Sequence, residues 1–331
     1  MEKRGHVILI TASKKEVSYR LLDNYGFHYE KLGSYGISLT EKMINIPLLD
    51  LKMYQAVKKF NPDIFLGFGS IRAAHVSKVL RKPCINFEDT DHAKWEHRLY
   101  VPFADVVLSP RCFTKDLGKK QVKIETYKEL FYLHPDYFRP DRSILADAGL
   151  KPGERFFIVR FVAFDAQHDR GQTGLQNREQ VVEQLGKYGK IFITSEVVLP
   201  EHLKKYQITI PIEKLHDLLS FATLYFGEGS TTAAEAAMMG TPAIYVSSLS
   251  GGLGYVSDLE QKYGLLYNFR EQQPALEKAA ELLKNPQVKE EWMQKRDNFL
   301  KDKLNATQFL IWFVETYPQS FLTMKKKSTD P

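Results

Sequence analysis

The stretch Tyr225–Val246, YFGEGSTTAAEAAMMGTPAIYV, constrains the fold more than any other part of this chain. Leu224–Gly227 is a short apolar run of the buried-strand type. Gly227 and Gly229 allow a tight turn and a close backbone approach to a ligand. Ser230 is a favourable N-cap, and Ala233, Ala234, Ala236, Ala237, Met238 and Met239 are strong helix formers. Gly240-Thr241-Pro242 stops the helix ahead of a second strand, Ala243–Val246.

This order places a helix start directly after a strand. The N–H groups of Thr231, Thr232 and Ala233 then face outward at the positive end of the helix, where a diphosphate is stabilised. Glu235, one turn further on, is the one charge in a small, apolar helix. Its carboxylate can accept hydrogen bonds from the two ribose hydroxyls of a nucleotide. The alternative is an ordinary glycine-rich βα turn with a solvated glutamate. The combination of small residues, one embedded Glu and a terminal Gly-x-Pro favours the nucleotide.

Apolar strand-like runs alternate with helical patterns along the whole chain, the signature of an α/β fold. Strands are predicted at His6–Thr11, Asp63–Gly67, Cys84–Phe87, Asp105–Leu108, Phe156–Val162, Lys190–Thr194, Leu224–Gly227 and Ala243–Val246. Helices are predicted at Lys15–Tyr25, Leu49–Phe60, Ile71–Leu80, Gln176–Tyr188, Ile212–Phe221, Gln273–Leu283 and Gln287–Lys303. A length of 331 residues suits two domains rather than one core. The segment His134–Glu154, rich in Pro, Asp and Gly, is the expected boundary, giving domains over residues 1–140 and 150–305. The helix Ala306–Tyr317 carries Phe309, Leu310, Trp312, Phe313 and Val314, too apolar for a free tail. Residues 306–320 are expected to cross back to the first domain, and residues 321–331, with Lys325-Lys326-Lys327, to form a disordered tail.

Hydrophobic residues make up 44% and charged residues 26% of the chain, as in a soluble globular protein. No apolar run approaches a membrane span, and the first residues do not form a signal peptide. Two cysteines, Cys84 and Cys112, suggest neither a disulfide framework nor a Cys-rich metal site, and make a cytoplasmic location the default. The net charge of +6 suits an anionic ligand and a peripheral contact at the inner membrane face. No nucleic-acid motif is present.

The sequence resembles the GT-B proteins, whose fold is two Rossmann-like domains facing a central cleft. The stretch GEGSTTAAEAAMMGTPAI is similar to the donor-binding region of the lipid-linked N-acetylglucosaminyl transferase of peptidoglycan synthesis. It is also similar to that of the non-hydrolysing UDP-N-acetylglucosamine 2-epimerases. The resemblance extends to a domain-of-unknown-function family, number 354. It is carried by EKRGHVILITAS at Glu2–Ser13, NFEDTDHAKWEHRL at Asn86–Leu99, ADVVLSP at Ala104–Pro110, LHDLLSFATLYFGEGSTTAAEAA at Leu215–Ala237 and LEQKYGLLYNF at Leu259–Phe269. It implies that Glu235 holds a ribose and Gly229–Thr232 a diphosphate. The nucleotide-sugar site is therefore expected at Gly227, Glu228, Gly229, Ser230, Thr231, Thr232 and Glu235, joined by Arg160 and by Gly252 in the loop after the last strong strand.

Asn86–His92 follows a predicted strand and lies at the C-terminal sheet edge, where open α/β folds bind ligands. His92, Asp89 and Glu88 are the candidates for a general base that deprotonates an acceptor hydroxyl; the alternative role of the segment is capping, by Thr90 or Asp91, of the helix that follows. Asp89-Thr90-Asp91 also mimics an Asp-x-Asp metal motif. The GT-B resemblance argues for helix dipoles and basic residues in place of a metal, so no cofactor is expected and a divalent ion is the minority reading. The epimerases carry an Asp where this chain has Ser70, which weakens the epimerase reading. Arg160, Asp165, His168, Asp169 and Arg170 form a polar cluster suited to a leaving diphosphate. His216, beside Leu215, Leu218 and Leu219, reads as structural.

These features together predict a glycosyltransferase-like enzyme that uses a UDP-sugar donor in cell-surface polysaccharide or glycolipid assembly, with a lipid-linked acceptor as one option. A nucleotide-sugar 2-epimerase or hydrolase, or a catalytically inactive nucleotide-sugar-binding protein, are the alternatives. In the resembling families Lys3–His6 ends a first helix and enters the second strand. The first domain is thus expected to lack its first strand and helix, against the alternative that His6–Thr11 is itself the first strand.

Overall fold

The computed structural model describes residues 1–14, 17–36, 39–163 and 174–329. Strands β1 (Ile10–Lys14), β2 (Tyr29–Ser34), β3 (Phe65–Phe68), β4 (Cys84–Phe87), β5 (Val106–Pro110) and β6 (Gln121–Ile124) come first, interleaved with helices α1 (Ser18–Asn24), α2 (Leu39–Lys58), α3 (Ile71–Leu80) and α4 (Lys94–Tyr100). Helices α5 (Leu130–Leu133) and α6 (Ser143–Asp147) precede β7 (Phe156–Phe161), α7 (Arg178–Gly186), β8 (Lys190–Ser195), α8 (Glu201–Lys204) and α9 (Leu215–Phe221). Then come β9 (Leu224–Gly227), α10 (Ser230–Met238), β10 (Ala243–Val246), α11 (Gly254–Gln261), β11 (Leu266–Phe269), α12 (Gln272–Lys284), α13 (Val288–Lys301), α14 (Ala306–Glu315) and α15 (Gln319–Thr329).

The chain divides into two compact units, one of residues 1–111, 115–124 and 307–331, the other of residues 112–114 and 125–306. The division falls earlier than the polar segment His134–Glu154. Tyr127, Leu130, Leu133 and Ile144 lie in the core of the second unit, and this burial assigns the segment between Glu125 and Asp147 to it.

In the second unit all five strands are parallel, in the order β11-β10-β9-β7-β8. Chain order reverses between β7 and β9, which makes this the topological switch point where ligands of open α/β sheets bind. The central strands β9 and β10 are fully buried, near-continuous apolar runs, as in parallel sheets packed under helices. Helix α10 is buried along nearly its whole length, with Ala233, Ala234, Ala236 and Ala237 all at 0% exposure. Small residues let it pack closely on β9, β10, α9, α11 and α13.

The first unit holds two parallel sheets, β1-β2 and β3-β4-β5-β6. Helix α2 packs on β2 and on α3, and α3 packs on β3, so one helix layer and one core (Leu32, Leu49, Met53, Val57, Phe65, Ala73, Ala74) serve both sheets. Among the described residues β3 pairs only with β4, and its Leu66 and Phe68 are exposed. The strand predicted at His6–Thr11 begins instead at Ile10, with Val7 exposed at 81% and His6 drawn to Glu315 of α14.

The stretch expected as a disordered tail folds as α15. Ser320 Oγ donates to Phe313 O at 2.6 Å, and Lys325 Nζ donates to Gln121 O of β6 at 2.6 Å. Lysines favour helix locally, and packing on β6 supplies the tertiary support that composition does not reveal. Strands β2, β6 and β11 are not among the predicted ones; each mixes polar with apolar residues.

Candidate functional site

The switch point of the second unit is built around Arg160 and two glycines. Arg160 near the end of β7 pairs in register with Gly227 at the end of β9. A Cβ on Gly227 would stand 2.7 Å from Arg160 O, and one on Gly229 2.8 Å from both Cδ and Nε of Arg160. Gly227 is therefore required by the Arg160 backbone alongside it, and Gly229 leaves room for the Arg160 side chain to cross. This crossing lays the guanidinium beside the start of α10, where it ion-pairs with Glu196.

Helix α10 begins one residue earlier than Ser230 as N-cap would have it. Gly229 is the N-cap and makes no side-chain cap, while Ala233 N donates to Gly229 O at 2.9 Å. The amides of Ser230, Thr231 and Thr232 lie ahead of the first intrahelical bond. Ser230 is half-buried, Thr231 exposed and Thr232 buried. Partial positive charge from these amides and the Arg160 guanidinium, itself paired with Glu196, converge on one edge of the sheet, an environment for an anion.

Glu228 has a different place. It is 3% exposed, and its carboxylate accepts from Val162 N at 2.8 Å, Leu175 N at 2.7 Å and Arg178 Nη2 at 3.3 Å. It ties together the two ends of the connection between β7 and α7. A Cβ on Gly174 would lie 2.2 Å from Glu228 Oε1, a requirement for glycine that sequence reasoning missed. Burial pushes the Glu228 carboxyl above its ordinary value, against the opposing pull of the two amides and Arg178. Both oxygens of this carboxylate are thus engaged by the protein itself. Asp165, His168, Asp169 and Arg170 lie outside the described residues.

Glu235 is 8% exposed and joins a network that the sequence did not reveal. Its Oε1 accepts from Tyr132 Oη of α5 at 2.8 Å and from His216 Nε2 of α9 at 3.0 Å. The rings of Tyr132 and His216 lie 5.6 Å apart, and Phe138 meets His216 edge-on at 6.1 Å. Burial alone would lower the His216 pKa; the hydrogen bond and charge of Glu235, with the charge of Asp217, outweigh it and raise it above the ordinary value. His216, read from sequence as structural, is thus the direct partner of the candidate ribose ligand. Gly252 lies exposed in the loop ahead of α11, its amide donating to Leu249 O at 2.8 Å. Helix α11 also starts without a side-chain cap, next to α10.

In the first unit the turn after β4 gathers the other candidates. Asn86 Oδ1 accepts from Ser70 N at 2.8 Å, locking the turns after β3 and β4 together. Ser70 caps α3 through Ala73 N at 3.2 Å. Glu88 is 5% exposed; Thr90 N donates to its Oε1 at 2.8 Å and Tyr100 Oη to its Oε2 at 2.7 Å, with His97 Nε2 at 3.3 Å. Burial would raise the Glu88 pKa, but His97, Tyr100 and the Thr90 amide together hold it below the ordinary value. Glu88 thus braces α4 against β4. Asp91 is 1% exposed, whereas Asp89 and His92 are half-buried. The capping expectation is corrected: Ala93 is the N-cap of α4, and neither Thr90 nor Asp91 supplies a side-chain cap. Among the described residues no group of three or more His, Cys, Asp and Glu side chains is arranged to hold a metal ion, and no helix is long and apolar enough to cross a membrane.

The fold is that of the GT-B proteins. The chain is similar to the UDP co-structure of S. aureus MnaA, with a TM-score of 0.63 at 10% identity over 94% of this chain and 96% of that one. It is similar to the UDP-GlcNAc 2-epimerase of Neisseria meningitidis bound to UDP-GlcNAc, with a TM-score of 0.57 at 13% identity over 86% of this chain and 85% of that one. It is also similar to Acinetobacter baumannii MurG, with a TM-score of 0.56 at 15% identity over 95% and 92% of the two chains. Residues 1–297 match the model of the family described as protein of unknown function (DUF354), and the chain belongs to that family. An uncharacterised Methanocaldococcus jannaschii protein, MJ0665, is 22% identical over 259 residues, 73% of this chain and 74% of that protein.

Proposed function

We propose that this protein is a glycosyltransferase that takes its sugar from a UDP-sugar and works in cell-surface polysaccharide or glycolipid assembly. The observation that carries the reading is the switch-point site of the second unit. The uncapped start of α10, the Arg160 guanidinium and the Glu235 carboxylate match the anionic and diol ends of a nucleotide. Similarity to UDP- and UDP-GlcNAc-bound proteins of the same fold supports it. The amides of Ser230–Thr232 and Arg160 stabilise the departing diphosphate by charge. The first unit supplies the base for the acceptor hydroxyl. Asp89, half-buried, is better suited than His92, both of whose ring nitrogens are buried, and than Glu88, whose carboxylate braces α4. No cofactor is required in this scheme, and a lipid-linked acceptor together with the net charge of +6 suits a peripheral contact at the inner membrane face.

A 2-epimerase is the second reading, favoured by the likeness to the Neisseria meningitidis enzyme. Ser70, which resembles the epimerase position that carries Asp, is engaged here in capping α3 and speaks against it. Incubation with UDP-N-acetylglucosamine and a membrane-lipid extract, followed by sugar and nucleotide analysis, tests both. Transfer releases UDP and labels an acceptor, epimerisation yields a new UDP-sugar, and an inactive binder leaves the substrate unchanged. A new UDP-sugar without UDP release would overturn the transferase reading.

A further inference from the structure

Glu235 is held in a way that a space-filling residue does not need. Its Oε1 accepts two hydrogen bonds, from Tyr132 Oη and His216 Nε2, which come from two different helices. A carboxylate oxygen with two donors has both lone-pair directions filled. Among the described residues Oε2 accepts no hydrogen bond, and it is not sealed from solvent. The side chain is 11% exposed, that of His216 27%, and Tyr132 38%, so the three stand at the surface of the second unit. One oxygen of this largely buried carboxylate is held by the protein, and the other accepts no hydrogen bond among the described residues.

We propose that Tyr132 and His216 are positioning residues: they occupy Oε1 and fix the carboxylate so that Oε2 receives the vicinal hydroxyls of a nucleotide's ribose, making the site selective for ribo- over 2′-deoxyribonucleotides. This rests on the nucleotide-sugar reading of the α10 site. Two donors on one oxygen leave the carboxylate a single orientation, because rotation about its terminal bond would break both bonds at once. A ribose then meets a pre-oriented acceptor and does not have to order it on binding. Without the two donors the carboxylate turns freely, is hydrated at both oxygens, and loses its preference for a diol.

The experiment is calorimetry of the full chain with UDP and with 2′-deoxy-UDP, on wild type, Tyr132→Phe, His216→Ala and His216→Gln. The wild type is expected to bind UDP about tenfold more tightly than the deoxy compound, the value of one hydroxyl hydrogen bond to a charged group. Tyr132→Phe and His216→Ala each weaken UDP about fivefold and leave the deoxy compound within about twofold, so selectivity collapses. The Gln amide of His216→Gln restores a donor and recovers selectivity. Tyr132→Phe removes one hydroxyl and no buried volume, and it decides the matter if a His216 variant fails to fold. Equal weakening of both ligands, or unchanged selectivity in folded variants, overturns the positioning role alone. A wild type that binds neither nucleotide overturns the site reading and this inference with it.

Discussion

Replacing Glu235 by alanine tests the proposed site most directly. The side chain does two things, and the structure separates them. Toward the protein, Oε1 anchors Tyr132 and His216. Both partners are partly exposed, so water replaces the lost acceptor, and the expected loss of stability is about 1 kcal/mol. Toward the ligand, Oε2 is the only oxygen left, and two hydroxyls must share it. Hydrogen bonds to a charged group contribute about 1.5–3 kcal/mol each, and sharing one oxygen puts the pair near 2–3 kcal/mol in total. UDP affinity should then fall about 30- to 150-fold. Thermal unfolding checks that the variant is folded, and titration calorimetry with UDP measures the loss. A folded variant with unchanged UDP affinity would refute the assignment of Glu235 to the ribose. A fall in affinity matched by an equal fall for inorganic pyrophosphate, which has no ribose, would trace the effect to a disturbed helix start.

Four further outcomes are expected. Glu228→Ala should destabilise the protein by about 3 kcal/mol in urea unfolding, because the buried Leu175 amide, the part-buried Val162 amide and Arg178 lose their acceptor together; near-native stability with lost UDP binding would return Glu228 to the ligand. The raised pKa of His216 gives a pH signature: its pairing with Glu235 contributes fully below the ordinary histidine value of about 6.5 and is lost as pH rises through the higher folded value. The groups facing it are Glu235 from α10 and Tyr132 from α5, with Asp217 and Lys214 beside it in sequence. The stability difference between wild type and His216→Gln should therefore shrink above neutral pH, and a difference that grows would contradict the ion pair. Nucleotide binding should persist in EDTA, since amides and Arg160 supply the positive charge; loss in EDTA with recovery on adding Mn²⁺ would bring a metal into the site. Leu66→Lys, on β3, should lower self-association in light scattering by removing exposed apolar surface from a strand that pairs only with β4 among the described residues, and unchanged scattering would mean that this surface is not adhesive.

The sequence by itself determined the α/β class, the parallel βαβ core and the place of the helix start after β9. These are local properties: apolar runs, strong helix formers and glycine-proline stops act within a few residues, and each can be read in order along the chain. Tertiary structure alone decided which of the marked residues are free to meet a ligand. Glu228 and Glu235 look equally available in the string GEGSTTAAE, yet one is enclosed by Val162, Leu175 and Arg178 while the other keeps one oxygen open. Gly227 and Gly229 read as room for a ligand, and the residue they make room for is Arg160, nearly seventy positions away in sequence but adjacent through the β7–β9 register. Tyr132 and His216 gave no signal at all, because nothing in a tyrosine on a short helix or a histidine beside leucines announces a shared carboxylate. Hydrogen bonds and close packing are made across space between distant elements, and only the assembled sheet and its helices say which side chains are spent on the fold and which remain for chemistry.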